Sequence, residues 1–154
     1  MHPEPLPTQV SDLSTAIVGL WGLVTREDHD HDGTRRVDPH LGAEPIGMLA
    51  FSRTHFSAQF SKRDRSGPTE PAAARTANNT SAVGGYDAYF GTYRVDEAGE
   101  AIVVLLDGSI NPDNVGLEVA RQVRATDDRL TIRLDTTTDD GTPITRTLVF
   151  ERLR

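Results

Sequence analysis

Residues 117–125 carry Leu117, Val119 and Val123 at alternate positions, and Arg121 occupies the remaining place in that row, between Glu118, Gln122 and Arg124 on the other parity. A strand with this alternation turns its apolar row to a core, so Arg121 should point inward. A guanidinium taken out of water needs a carboxylate, a phenol, water or an anionic ligand beside it. Two roles follow: a ligand-binding or carbonyl-polarising Arg121, or an ion pair with Asp107 or Glu151 that holds the core. Tyr89 and Tyr93 share one face of residues 86–95 and would supply hydroxyls, with Tyr86 and Phe90 on the other face; alternation alone does not choose between the two. Asp107 has the parity of Val103 and Leu105 and is expected to end a cavity-facing row. It is read as a general base alongside Arg121, because desolvation lifts a carboxyl toward neutrality. His55 lies between two short apolar runs and is read as a turn residue at the rim, with a ligand-binding or acid–base role open.

The elements that must position these groups are strands. Alternating or apolar runs at 17–26, 46–51, 56–61, 86–95, 101–109, 117–125, 129–136 and 144–153 are separated by turn residues, among them Glu97-Ala98-Gly99, Asn111-Pro112, Asp127-Asp128 and Asp140-Gly141. Eight strands at this spacing predict an all-β, eight-stranded antiparallel up-and-down barrel. Residues 28–41 read as a polar rim loop. Residues 62–84 read as a long connection between the third and fourth strands, with a helix start near Thr69-Glu70-Pro71. Residues 1–15, with Pro3, Pro5 and Pro7, read as a flexible leader, and 16–154 as one domain.

Composition narrows the function. The chain of 154 residues has 23 acidic against 16 basic residues, a net charge of -7, and no basic run, which argues against a nucleic-acid partner. No cysteine is present, so disulfides and thiolate chemistry are excluded, and a cytoplasmic location is expected. No signal peptide or membrane span is read. His29-Asp30-His31-Asp32 offers metal-ligand types without enforced geometry, and no metal is expected. No phosphate-binding glycine loop or nucleophile elbow is found, and no cofactor is expected.

Gly19 and Trp21 near the start, Pro45-Ile46-Gly47, Tyr89-Phe90-Gly91-Thr92-Tyr93, Gly108-Ser109-Ile110-Asn111-Pro112-Asp113, Val115-Gly116, Asp128-Arg129-Leu130-Thr131 and Phe150-Glu151-Arg152 occur in an order and spacing that resemble the bacterial lipocalin-like domain family. The resemblance implies a calycin-type closed barrel around a small-molecule cavity. It also implies that Gly19, Trp21 and Arg152 plug one end, the guanidinium stacking on the indole. Asn114 departs from an aromatic residue common after Asn-Pro-x, and Val104-Leu105 stand where a histidine is common, so no histidine chemistry carries over. The expected function is binding of a small, largely apolar or amphipathic molecule. Cofactor-independent cyclase, isomerase or lyase chemistry in secondary metabolism is one version, and a non-catalytic carrier is the other. Apolar residues on both faces of 101–106, and Leu20 and Val24 opposite Trp21, further suggest a homodimer or another cover on the outer wall.

Overall fold

The computed structural model describes residues 12–67 and 82–154. Residues 1–11 of the expected leader, and the helix start near Thr69-Glu70-Pro71, lie outside the described residues.

A single turn of helix, α1 (Leu13–Ala16), leads into β1 (Gly19–His29). Glu97, in a distant turn, accepts hydrogen bonds from the amides of Leu13 and Ser14, which a one-turn helix cannot satisfy itself. A two-residue strand, β2 (Arg35–Arg36), interrupts the expected rim loop and pairs with the end of β1. Then follow β3 (Ile46–Phe51), β4 (His55–Ser61), β5 (Tyr86–Asp96), β6 (Ala101–Ser109), a 3-10 turn at Pro112–Asn114, β7 (Glu118–Ala125), β8 (Arg129–Thr137) and β9 (Pro143–Arg152). The eight long strands pair antiparallel in chain order, and β9 closes on β1, so among the described residues the sheet has no open edge apart from β2.

Two irregularities decide which side chains look inward. The β1–β9 register shifts between Leu23 and Thr25, so Trp21 is buried at odd parity whereas Arg26 and Asp28 are buried at even parity. The β5–β6 register shifts between Phe90 and Gly91, whose partners are Gly108 and Leu106, and Asp107 is the extra residue. A Cβ on Gly91 would lie 1.8 Å from the Leu105 carbonyl oxygen, so this close approach admits only glycine. On β5 the odd row of Asp87, Tyr89, Gly91 and Tyr93 faces the interior, which settles the face that alternation leaves open.

The barrel has a closed end and a mouth. At the closed end Trp21 is fully buried, the Arg152 guanidinium lies 4.2 Å from its ring centroid, and the indole N–H donates to the Ile17 carbonyl at 2.9 Å. Arg152 also donates to the carbonyls of Val18, Ala16 and Asp127 at 2.8, 2.7 and 2.5 Å. Gly19 is obligatory here, with φ of +138° and Arg152 Nη1 2.5 Å from where a Cβ would sit. At the mouth, residues 37–42 fold back over the opening. Leu41 is buried against the core, Asp38 ties the segment to Arg26 on β1, and His40 ties it to Asp139 in the β8–β9 turn.

Candidate functional site

Inside the barrel lies a cavity of about 60 Å³, space for roughly four waters. Its walls are mostly aliphatic and aromatic side chains, including Leu49, Phe51, Phe56, Phe60, Leu148 and Phe150, with Leu41 supplied by the segment over the mouth. Five polar residues also line it: Arg26, Asp87, Tyr89, Arg121 and Arg146.

Arg121 is 8% exposed and faces this cavity with Val119 and Val123, as the alternation on β7 requires. Its Nη1 donates to the Ala120 carbonyl at 3.1 Å. Burial lowers its pKa, and the charge of Arg146 adds to that, while Tyr89 acts the other way. Tyr89 packs edge-on against Phe56, with ring centroids 5.9 Å apart, and its pKa is pushed up to about 12, first by burial and then by Asp87. It is a neutral phenol at any physiological pH.

Asp87 was not among the residues singled out from the sequence, yet it is the most perturbed carboxyl in the barrel. It is 6% exposed, and its Oδ1 has no hydrogen-bond partner among the described residues. Burial pushes its pKa up to about 7 against the pull of Arg26 and Arg146. A carboxyl titrating there can hold or release a proton near neutrality. The signal was legible, since Asp87 shares its parity with Tyr89 and Tyr93.

A buried ion network supports these groups. Arg146 forks onto Asp28 with bonds of 2.7 and 2.9 Å, Arg26 Nη1 donates to Asp38 at 2.9 Å, and Arg146 Nη2 lies 3.6 Å from the same Asp38 carboxylate. Burial opposes the charge on Arg146, but the two bonds to Asp28 outweigh it and raise its pKa. Desolvation likewise works against Asp38, and Arg26 and Arg146 overcome it, holding that carboxyl below its usual range. Arg146 alternates with Ile144, Leu148 and Phe150, the same pattern that marks Arg121, and could have been found the same way. Asp28 could not, because the register shift in β1 reverses parity before it.

The structure differs from the sequence reading at Asp107, in the pairing expected of Arg121, at His55 and at Tyr93. Asp107 is exposed on the outer wall, and the buried row of β6 is Ile102, Val104 and Leu106. With Ala101 to Leu106 apolar on both faces, alternation had nothing to select between, and Asp107 cannot be a base for a ligand in the cavity. Nor does Arg121 pair with it or with Glu151, which is also exposed. His55 lies in the β3–β4 hairpin at the closed end, exposed, with Nδ1 2.6 Å from the Thr54 hydroxyl, far from the mouth and outside the cavity lining. Tyr93 does face inward, but its ring packs edge-on against Phe51 and its hydroxyl donates to the Ser52 carbonyl at 2.5 Å, so it serves the hairpin rather than the cavity. In the acidic–histidine run, Asp30 accepts from the amides of Asp32 and Thr34 and shapes a turn.

The sequence model for the lipocalin-like domain matches residues 18–153. The chain belongs to the lipocalin-like domain family. A search of curated proteins finds no match. Small-molecule binding fits this lipocalin-like barrel. No helix among the described residues of the lipocalin-like chain is long and apolar enough to cross a membrane.

Proposed function

We propose that the barrel captures one small amphipathic molecule, its apolar body among the Phe and Leu side chains and its polar group against Arg121, Tyr89 and Asp87. The observation that carries this reading is the meeting of buried Arg121 and Asp87 with partly buried Tyr89 in one otherwise apolar cavity. Few and convergent polar groups on apolar walls are what orient a small ligand. Leu41, from residues 37–42, forms part of the cavity wall.

The same arrangement supports cofactor-independent conversion of the cyclase or isomerase type. Arg121 and Tyr89 can polarise a carbonyl, and Asp87, in the role first given to Asp107, can move a proton. The carrier reading differs in one respect: a carrier returns its ligand unchanged, which mass spectrometry of the released compound decides. Displacement of a fluorescent amphiphile from the barrel tests binding. Arg121→Leu should weaken it by about 2 to 5 kcal/mol while thermal unfolding shifts little, because a buried charged hydrogen bond to the ligand is lost and the aliphatic packing is kept. Arg121→Lys should rescue poorly, as the planar fork is gone. Normal binding by the Leu variant would remove Arg121 from the site.

A homodimer is also proposed, on the exposure of Leu20, Val24 and Leu105 at 48%, 48% and 39% on the outer wall. Light scattering should give twice the chain mass. A monomer would refute it.

A further inference from the structure

A strand wall joined by hydrogen bonds along its whole length lets nothing through, because adjacent strands lie only about 5 Å apart and side chains fill both faces. The wall between β7 and β8 is not joined in this way. Their pairing runs from Ala125 and Leu130 to Gln122 and Arg133 and stops there. Beyond it, among the described residues, 118–121 of β7 pair only with β6, and 134–137 of β8 pair only with β9. The two strands thus present facing edges with no shared ladder over the rest of their length. On the outer side of this opening lies a crevice of about 340 Å³, lined by Ala120, Gln122 and Asp135 together with Arg121 and Leu134. Arg121 and Leu134 also line the interior cavity, so these two side chains are shared by the crevice and the cavity.

We propose that this opening is a side entrance through which a small molecule reaches the cavity, with Leu134 and Arg121 as the side chains that swing aside. The inference rests on the small-molecule reading above and adds the route. Other routes are held more firmly. The crevice at the mouth shares Arg146 with the cavity, and that guanidinium is forked onto Asp28. A crevice on the flank of β1 shares Arg26, which is bonded to Asp38. Passage at either place separates a buried ion pair and leaves a charge uncompensated out of water. Between β7 and β8 no ladder hydrogen bond has to break, and Leu134 needs only a change of rotamer. Thr136, next in the inward row of β8, is buried with its hydroxyl unpartnered among the described residues. A polar group passing there meets a hydrogen-bonding group rather than an entirely apolar wall.

A route differs from a binding site in what its obstruction changes. Narrowing an entrance slows arrival and departure by the same factor and leaves the dissociation constant as it was, because the free and bound states are untouched. Ala120 is the position at which to obstruct this one: it is exposed on β7, lines the crevice and does not line the cavity. Because the chain has no cysteine, Ala120→Cys carries a single thiol that can be capped after folding.

The test is stopped-flow binding of two neutral fluorescent probes, N-phenyl-1-naphthylamine and 2-naphthol, to the full chain carrying Ala120→Cys, before and after its thiol is capped with benzyl methanethiosulfonate. The cap should slow entry and exit of both probes by at least about tenfold at an unchanged dissociation constant, and dithiothreitol should restore both rates. The same cap on Ser57→Cys, exposed on β4 across the barrel from β8, should alter neither rate. Leu134→Ala should speed both rates, whereas His40→Ala, which unties the segment over the mouth from Asp139, should not. Unchanged rates after capping Ala120→Cys, or faster entry in His40→Ala, would overturn the side entrance and leave small-molecule capture standing. A cap that weakens affinity at an unchanged entry rate would overturn it as well, by making the crevice part of the binding site. Failure of both probes to bind the uncapped chain would overturn the small-molecule reading itself.

Discussion

Asp87→Asn should stabilise the protein at about pH 8 and leave it nearly unchanged at about pH 4, by an amount on the order of 4 kcal/mol at the upper limit. The carboxyl sits at about 7 in the folded chain against an ordinary value of 3.8, because burial penalises its charge. Between those two values the folded protein keeps a proton that the unfolded chain has released. Stability conferred by the protonated group is therefore complete below the unfolded value and is lost as pH rises through the folded one. Asparagine is neutral throughout and nearly isosteric, so it escapes that loss. Asp38 has the opposite sign: its lowered value favours the fold above the unfolded value and is lost on acidification, in parent and variant alike. Subtracting one denaturation series from the other thus isolates Asp87. Parallel curves for the two proteins from about pH 4 to pH 8 would mean that the carboxyl is not desolvated. A gain in stability on replacing the carboxyl is the pattern of a group kept for function at a cost to the fold.

The second large effect is structural. Trp21→Ala should destabilise by about 3 to 5 kcal/mol, since it empties a fully buried aromatic site and removes the surface on which Arg152 lies. Arg152→Ala should cost less, because its guanidinium is partly solvated, although three carbonyls of the chain near α1 and the β7–β8 turn lose their donor. A double-mutant cycle should return a coupling of about 0.5 to 2 kcal/mol for the stacked pair. Neither change should alter ligand preference, because neither residue lines the cavity. Chemical denaturation that found Trp21→Ala as stable as the parent would remove the plug from the account of this barrel.

The sequence by itself determined the strands, their antiparallel order and the closed architecture, because turn residues and alternating rows specify a local backbone wherever one face is apolar and the other polar. On β7 that contrast is sharp, and Arg121 faces the cavity as its parity requires. The likeness at Gly19, Trp21 and Arg152 also placed three distant residues in one cluster, since a stacked guanidinium leaves a recognisable pairing at the two ends of a barrel. Where both faces are apolar, as over Ala101 to Leu106, parity carries no information, and only packing against β5 and β7 turned Asp107 outward. Register shifts are equally silent in sequence: the one in β1 moves the buried face from Trp21 to Arg26 and Asp28 and so creates half of the ion network. Asp87 shows the remaining limit. Its parity was readable, but the loss of water that makes it titrate near neutrality, against the pull of Arg26 and Arg146, comes from side chains that separate strands and the segment carrying Leu41 bring together, and that arrangement exists only once the barrel has closed.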